Sequence, residues 1–484
     1  MTATADSATT TIDTGFRHGV ASGDPTVDSV LVWTSWSGSQ DGATNLRWEV
    51  ATDDSFHDVV ASGERRAADG ADGVLDHQAP VNVRVEGLAP ATTYHYRFLT
   101  DGAVSPTGRT ATLPAADSHP DHVRLGIACC ARLASAPFDA YGALADASPD
   151  LVVHVGDYVY EDGAAPHDPP RTCVEPEDYR RRYAQFRSQE PLMACHAAAP
   201  WVSVWDDHEV ADDSWDGGSP SDSTPDRREA FERRRHAAAL AYLDWMPQEV
   251  SDTGPTLMDR RVRYGDLLDV VVLDARQANR ERPVGESGPA LVDPADPRRC
   301  LSDEQWEWLE SCAQDARGWF VLATQTQVGA LRLARLPDPR RGLSVHPFVN
   351  PAQWDGYPRE RERLARTLAP VADRALICSG DLHGRFHTAL ELPGGRRIPE
   401  ITTPSIASTP FADAIRQKVP IPTPLLRRWL GWLNPHVDFM DLEGRGSTVL
   451  DVTPTSIEVT ALVRGRDEPL RFRVERGSST IRPV

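Results

Sequence analysis

Short apolar runs alternate with helical stretches from Val123 onward, and this alternation constrains the fold more than any other feature. The runs are "VRLGIAC", "LVVHVGD", "WVSVWDD", "LLDVVVLD", "WFVLATQT" and "ALICSGD". Between them lie "PFDAYGALADA", "EDYRRRYAQFR", "DRREAFERRRHAAALAYLDWM", "SDEQWEWLESCAQD" and "YPRERERLARTLAPV". Strands that alternate with helices in this way predict a layered α/β domain. The tail from Ser447 returns to strand-like alternation, and we expect it to add edge strands.

The N-terminal part of the chain has a different pattern. Residues 15–113 are short alternating segments separated by turn signals, which predict a small all-β sandwich of the fibronectin III-like type. In "GLAPATTYHYRF", either Tyr94 or Tyr96 is expected to bond back to the backbone as a tyrosine corner, unless both are ordinary strand tyrosines. Residues 114–122 are predicted to be a linker, and residues 123–484 the main domain.

Composition excludes several classes of function. The net charge of -20 argues against a nucleic-acid groove, because phosphate backbones require a basic face. No apolar run approaches the ~20 residues of a transmembrane helix. Residues 1–14 show no export signal, so the protein is expected to remain inside the cell or to be given in its processed form. The odd count of seven cysteines leaves a free thiol, and the pairs Cys300–Cys312 and Cys173–Cys195 stay open.

Several of the predicted strands end in clusters of polar side chains. In chain order these are Cys129, Cys130 and Arg132; Asp157, Tyr158, Tyr160 and Glu161; Asp206, Asp207, His208 and Glu209; Asp274 and Arg276; and Asp381, His383, Arg385 and His387. A single aspartate after a strand most often caps the next helix. If the strands are neighbours, these acids meet at the carboxyl ends of the strands, and cations are then needed to offset their negative charge. Oxygen donors with one thiol and a phenol favour a hard trivalent metal such as Fe(III) beside a divalent metal.

The order of these motifs resembles a known family. Cys130, "GDYVYE", "WDDHEV" and "GDLH" are similar to the motif series of the PhoD-like alkaline phosphatases, a branch of the calcineurin-like metallophosphoesterases. The segments "FRHGVASGDPTVDSVLVWT", "DVVVLDARQ" and "WDGYPRERERL" are similar too, so the resemblance covers nearly the whole chain. It implies a four-layer metallophosphoesterase-type β-sandwich flanked by helices, preceded by the all-β domain.

The resemblance also implies a metal centre and two further site residues. The implied Fe³⁺ ligands are Cys130, Asp157, Tyr160 and His383, and the implied Ca²⁺ ligands are Asp157 as a bridge, Asp207, Asp212 and Asp381. Asp212 stands where the family commonly has Asn, which would lower the net positive charge of the site. Cys130 is preferred to Cys129 for its spacing to "FDAY". His208 is the implied cleft histidine, and Arg276 either contacts phosphate or forms a structural ion pair.

These residues predict hydrolysis of a phosphate ester by a metal-bound hydroxide, assisted by two metals. His208 is expected to stabilise developing charge or to protonate the leaving oxygen. The resemblance leaves open phosphomonoesters, phosphodiesters and phospholipids, the last by a phospholipase D-like reaction. A non-catalytic surface protein that binds metal or phosphate is a further alternative. A monomer is expected, and the resemblance implies an extracellular or cell-envelope location.

Overall fold

The computed structural model describes residues 15–37, 44–67, 79–222, 228–249, 258–277, 279–285, 288–338 and 344–484. The expectation about an export signal rests on residues 1–14, which lie outside these ranges. The strands are β1 Val20–Gly23, β2 Ser29–Trp36, β3 Asn45–Ala51, β4 Val59–Arg66, β5 Ala79–Glu86, β6 Thr93–Leu99, β7 Gly108–Ala111, β8 Val123–Ala128, β9 Leu151–Val155, β10 Pro200–Val204, β11 Arg260–Tyr264, β12 Leu268–Leu273, β13 Ala290–Leu291, β14 Trp319–Thr324, β15 Arg332–Asp338, β16 Ser344–Val349, β17 Ala375–Ser379, β18 Arg385–Glu391, β19 Arg397–Thr402, β20 Phe439–Asp441, β21 Gly446–Val452, β22 Ser456–Val463, β23 Leu470–Glu475 and β24 Arg482–Pro483. The α-helices are α1 Asp139–Asp146, α2 Pro176–Arg187, α3 Glu190–Ala198, α4 Arg228–Trp245, α5 Asp303–Asp315, α6 Pro358–Thr367, α7 Phe411–Lys418 and α8 Thr423–Leu433.

All the apolar runs predicted as strands from residue 123 are strands, and the stretches predicted between them contain helices. β8, β9 and β10 are parallel neighbours at the centre of a ten-stranded sheet with the order β24-β23-β22-β21-β8-β9-β10-β1-β2-β5. The C-terminal strands extend this sheet to one edge, as predicted from the strand-like alternation after Ser447. A second, seven-stranded sheet has the order β11-β12-β14-β17-β19-β18-β20, with β12, β14, β17 and β19 parallel.

The two large sheets share one apolar core, and alternation along each strand decides which side chains enter it. Val270 and Val272 of β12 pack in the same cluster as Val153 of β9. Their neighbours Val271 and Leu273 point the other way, into a cluster with α5 and α6. This period of two is the geometry of a strand buried on both faces. The strands are therefore held rigidly, with their carboxyl ends at one edge of each sheet.

The N-terminal strands divide between two sheets. β1, β2 and β5 continue the ten-stranded sheet, because β1 pairs in parallel with β10, with Ser22 opposite Pro200. β4, β3, β6 and β7 form a separate four-stranded sheet. Tyr94 is the tyrosine that bonds back to the backbone: its Oη accepts a hydrogen bond from the Ala89 amide at 2.9 Å. The continuous sheet joins this segment to the rest of the molecule by main-chain hydrogen bonds.

All seven cysteines are free and buried, so neither of the cysteine pairs left open by the sequence forms a disulfide. Within the described ranges, no helix has the length and apolar character needed to span a bilayer.

Candidate metal centre and active site

The predicted metal ligands lie on sharp turns directly after strands. Cys130 follows β8, Asp157 follows β9, and Asp381 and His383 follow β17. All four have left-handed backbone conformations, with φ angles of 58°, 55°, 62° and 54°. Non-glycine residues rarely adopt this conformation, and it is concentrated at functional sites. The turns aim side chains from separate strands at one another.

Glu209 holds the turn after β9 and the turn after β10 together. Its buried carboxylate accepts hydrogen bonds from the amides of Asp157 at 3.1 Å, Tyr158 at 2.7 Å and Asp206 at 2.8 Å. Burial raises the pKa of Glu209 to about 8, although these amides oppose that change. At Gly156, whose φ is +98°, an added Cβ would lie 2.5 Å from the Cβ of Asp206. The glycine of "GDYVY" therefore allows the two loops to approach closely, and Glu209 faces the backbone and not the cluster.

One group of donors contains a thiol, a carboxylate and an imidazole. Cys130, Asp157 and His383 each offer a ligand atom, and these atoms all lie within 4.8 Å of one another. The Tyr160 hydroxyl donates to Asp157 Oδ2 at 2.9 Å, and it lies 3.3 Å from His383 Nε2 and 2.9 Å from Ser408 Oγ. The four iron ligands that the resemblance implies are thus in contact with one another or nearly so.

The protonation states of this group depend on burial. Burial lowers the pKa of His383 to about 4, which keeps the imidazole neutral and able to bind a metal through a ring nitrogen. Burial also raises the pKa of the Tyr160 phenol and of the Cys130 thiol well above their ordinary values, and Asp157 beside them adds to both shifts. A cation would reverse these shifts, since it stabilises phenolate and thiolate.

A second group consists of carboxylates. One oxygen from each of Asp157, Asp206, Asp207 and Asp381 lies within 4.8 Å of the others. Three oxygens in this group (Asp157 Oδ1, Asp206 Oδ2 and Asp207 Oδ1) are buried and have no hydrogen-bond partner among the described residues. Such oxygens are costly to bury unless a cation lies between them. A hard, oxygen-preferring cation fits this set of donors.

Arg276 is the protein's own positive charge beside these acids. Its guanidinium forms an ion pair with Asp206, and Nη2 lies 3.4 Å from Asp207 Oδ1 and 3.6 Å from Asp381 Oδ2. The Arg276 side chain is 1% exposed. One guanidinium cannot balance all the acids of the second group, so their negative charge remains in excess.

His208 lies at the partly open side of the site. Its Nδ1 is 2.7 Å from Glu161 Oε2, and its ring packs against Tyr160 with centroids 4.1 Å apart. Burial alone would lower the pKa of His208, but Glu161, Asp157 and then Asp207 outweigh it and raise that pKa well above its ordinary value. The protonated form of the ring is therefore favoured beside this cluster of carboxylates.

Asp212 is placed differently from the other predicted ligands. Its side chain is 72% exposed, and Oδ1 lies 3.5 Å from His208 Nε2. Asp212 groups with Asp207 and His208, and it is not in the group that contains Asp157, Asp206 and Asp381. The next residue, Asp213, donates its amide to Asp207 Oδ2 at 2.6 Å. This loop therefore orients Asp207 through its backbone, while the Asp212 carboxylate lies at the rim.

Comparison with known proteins agrees with this arrangement. The family model described as PhoD-like phosphatase matches residues 125–461, and the one described as its N-terminal domain matches residues 2–114. Alkaline phosphatase D of Bacillus subtilis (strain 168) is 32% identical over 467 residues, which is 91% of this chain and 76% of that protein.

The chain belongs to the PhoD-like phosphatase family. It is therefore a phosphoric ester hydrolase, and the predicted family and class of enzyme are confirmed.

The solved structure of PhoD is similar to that of this PhoD-like phosphatase over the whole chain. It superposes with a TM-score of 0.83 at 29% identity, and the match covers 100% of this chain and 93% of that one. Purple acid phosphatase PPD1 from yellow lupin seeds gives a TM-score of 0.57 at 13% identity, over 95% of this chain and 74% of that one. The second similarity concerns the fold alone. The mixed α/β class predicted from the sequence is confirmed by both.

Four residues of the PhoD-like site were not predicted as site residues. Asp206 and Glu161 belong to the strand-end clusters, so their positions in the sequence gave a usable signal. Gln353 Nε2 donates to Asp381, and Ser408 Oγ lies against Tyr160. Gln353 directly precedes the segment "WDGYPRERERL", and Ser408 belongs to none of the segments that carry the resemblance. Only the tertiary structure brings them to the site.

Proposed function

We propose that this PhoD-like phosphatase hydrolyses phosphate monoesters and diesters at a centre that holds Fe³⁺ and Ca²⁺. The observation that carries the proposal is the set of buried carboxylate oxygens without hydrogen-bond partners among the described residues, gathered beside Cys130, Tyr160 and His383. In the proposed centre, Cys130, Asp157, Tyr160 and His383 hold Fe³⁺. Asp157, Asp207 and Asp381 hold Ca²⁺. When bound, the two cations would neutralise phosphoryl charge and lower the pKa of an attacking water.

The protein's own side chains perform the proton transfer. We assign His208 as the general acid, because its protonated form is favoured and Nε2 faces the open side of the site. Glu161 accepts the hydrogen bond from Nδ1 at 2.7 Å, which fixes the ring orientation. His208 would donate its Nε2 proton to the leaving alkoxide as the phosphorus–oxygen bond breaks. The exposed carboxylate of Asp212 lies beside that nitrogen and is proposed as the Ca²⁺ ligand nearest to solvent.

Arg276 is proposed to position carboxylates and not to contact phosphate. Its side chain is 1% exposed, and its guanidinium already faces three carboxylates. Among the two alternatives given by the sequence, these contacts support the structural ion pair. Its part in catalysis is then to fix the orientation of Asp206, Asp207 and Asp381 before cations bind.

The architecture supports a division of the chain into residues 15–113, a linker at 114–122 and a catalytic domain at 123–484. The proposed four layers are the two large sheets with helices on their outer faces, such as α5 against the seven-stranded sheet. The Tyr94 contact supports a fibronectin III-like character for the first segment. Because β1 pairs with β10, we propose that this segment folds onto the catalytic domain and not as an independent unit.

Adjacent cysteines provide a matched test of the metal centre. Cys129 Sγ faces the carbonyls of Thr403 and Pro404, whereas Cys130 Sγ faces Asp157 and His383. We expect Cys130→Ser to lose iron and to lower hydrolysis of p-nitrophenyl phosphate and bis-p-nitrophenyl phosphate by at least about 100-fold. Cys129→Ser should retain both.

Elemental analysis and initial rates measure these outcomes. Bound iron and calcium without cleavage of any ester would favour the non-catalytic metal-binding alternative. Absence of both metals, or an iron content in Cys130→Ser equal to that of the wild type, would overturn the proposed centre. Phosphatidylcholine as a third substrate tests the phospholipase D-like alternative.

A further inference from the structure

Helix α8 presents an apolar face to solvent. Leu425, Trp429 and Trp432 are 57%, 47% and 72% exposed, and they recur at helical spacing on one side of the helix. We call these three residues the tryptophan face. The opposite side is buried through residues such as Leu426 and Leu430. A surface helix normally exposes polar side chains on the face that does not enter the core, so large apolar residues there require a reason.

The tryptophan face is ordered and extends beyond α8. The Trp429 and Trp432 rings lie 5.6 Å apart, and Trp429 Nε1 donates to the Leu333 carbonyl of β15 at 3.1 Å. Two more exposed apolar side chains belong to the adjoining elements: Val419, which follows α7, and Leu336 of β15. The loop before α8 and the strand that contacts α8 therefore expose apolar side chains as well.

Positive charge accompanies this patch on a strongly acidic chain. Arg428 is exposed on α8, one residue before Trp429 and four before Trp432, and within the part of the chain that the structure describes it has no ion-pair partner. Lys418, at the end of α7, is exposed as well. The whole chain carries a net charge of -20. Unpaired guanidinium groups beside tryptophans are complementary to phosphate groups at an apolar boundary.

The segment that contains α7 and α8 is attached to the loop that carries His383. Phe411 at the start of α7 donates its amide to the His383 carbonyl at 3.0 Å, and His383 Nδ1 is 3.0 Å from the Thr409 carbonyl. Leu426 and Leu430 of α8 pack in one apolar cluster with Leu382. A surface docked on α8 would thus lie next to the loop that forms one wall of the site.

We propose that the tryptophan face docks this phosphatase on a phospholipid bilayer surface. Trp429 and Trp432 enter the interfacial region, where tryptophan is enriched, and Arg428 contacts lipid phosphates. Apolar insertion drives the binding, so the net negative charge of the protein does not prevent it. The docking goes beyond the proposed function. One consequence of docking rests on the proposed function: phosphate esters of lipid head groups become accessible to the site.

Vesicle sedimentation tests the docking with full-length protein. Vesicles of phosphatidylcholine, and of an equimolar mixture of phosphatidylcholine and phosphatidylglycerol, should both sediment the wild type. Trp432→Ser should lower the partition coefficient about tenfold for both lipids. Arg428→Gln should lower it about fivefold, and only for the anionic mixture. Val60→Ser removes an apolar side chain that is 47% exposed on β4, in another sheet, and should change nothing.

The outcomes separate docking from catalysis. Trp432→Ser should hydrolyse soluble p-nitrophenyl phosphate at the wild-type rate, which would show that the variant is folded. If the wild type itself does not cleave that ester, the result counts against the proposed function and not against docking. Wild-type protein that stays in the supernatant, or Trp432→Ser that binds as well as the wild type, would overturn the proposal. So would a wild-type dimer in sedimentation velocity that Trp432→Ser abolishes, because the tryptophan face would then bind a second copy.

Discussion

Replacing Arg276 by glutamine should destabilise the metal-free protein strongly. The change keeps a polar side chain but removes the guanidinium that lies against Asp206, Asp207 and Asp381 in this buried group. Those acids would then be left buried and close together, and the charge of protonated His208 beside Asp207 would offset only part of their repulsion. The destabilisation should be smaller when iron and calcium are present, because bound cations would replace the lost charge.

The magnitude follows from the measured separations. With an effective dielectric constant of about 20, charges 3.4 Å and 3.6 Å apart attract by about 5 kcal/mol each. Desolvation of the ions offsets much of this attraction, and loss of one partner from a buried pair typically costs about 3–5 kcal/mol. We therefore expect Arg276→Gln to lower the free energy of unfolding by about 3–5 kcal/mol in chelator. Asp206→Asn in the same chain should restore part of it, with a coupling of about 2 kcal/mol.

Urea unfolding followed by tryptophan fluorescence, in chelator and with metals, measures these values. Arg374→Gln is the matched control, because Arg374 forms a surface ion pair with Asp373 at 2.9 Å. Such pairs contribute about 1 kcal/mol at most. Equal urea midpoints for Arg276→Gln and Arg374→Gln, or additive effects of Arg276→Gln and Asp206→Asn, would refute the reasoning.

Three further predictions concern proton transfer and acid stability. His208→Gln should lower kcat about 10²–10⁴-fold with little change in metal content, since it removes the general acid but no proposed ligand; an unchanged kcat would exclude that role. Glu161→Gln should move the alkaline loss of activity to lower pH, because without the Glu161 charge the pKa of His208 falls; a pH–rate profile identical to that of the wild type would contradict this. Burial lowers the pKa of His18 and His154 to about 3 from 6.5, so the folded form rejects protons that the unfolded chain binds. Stability should thus be lost as pH falls from about 6.5 towards 3, by roughly 2 kcal/mol per histidine at pH 5. His154→Gln should flatten this dependence in urea unfolding at several pH values, whereas the exposed His57→Gln should not.

The sequence alone determined the alternation of strands and helices and the segments that carry the chemistry. Runs such as "VVVL" are apolar throughout, which fits strands buried on both faces. Their ends carry Cys130, Asp157, Asp207 and His383, which are residue types that bind metal ions. These properties are local: periodicity and residue chemistry act over a few positions, so a single chain displays them before it folds.

The tertiary structure alone decided which groups face one another. Periodicity shows that β1 has an inner face but not that β10 is its neighbour, since strand pairing joins segments far apart in the chain. Asp206 and Asp212 are both aspartates near the same motif, yet one is paired with Arg276 in the interior and the other lies at the rim. Contacts of Gln353 and Ser408 depend on loops from distant segments. The physical reason is that hydrogen bonds and ion pairs are set by distance in space, which sequence separation does not measure.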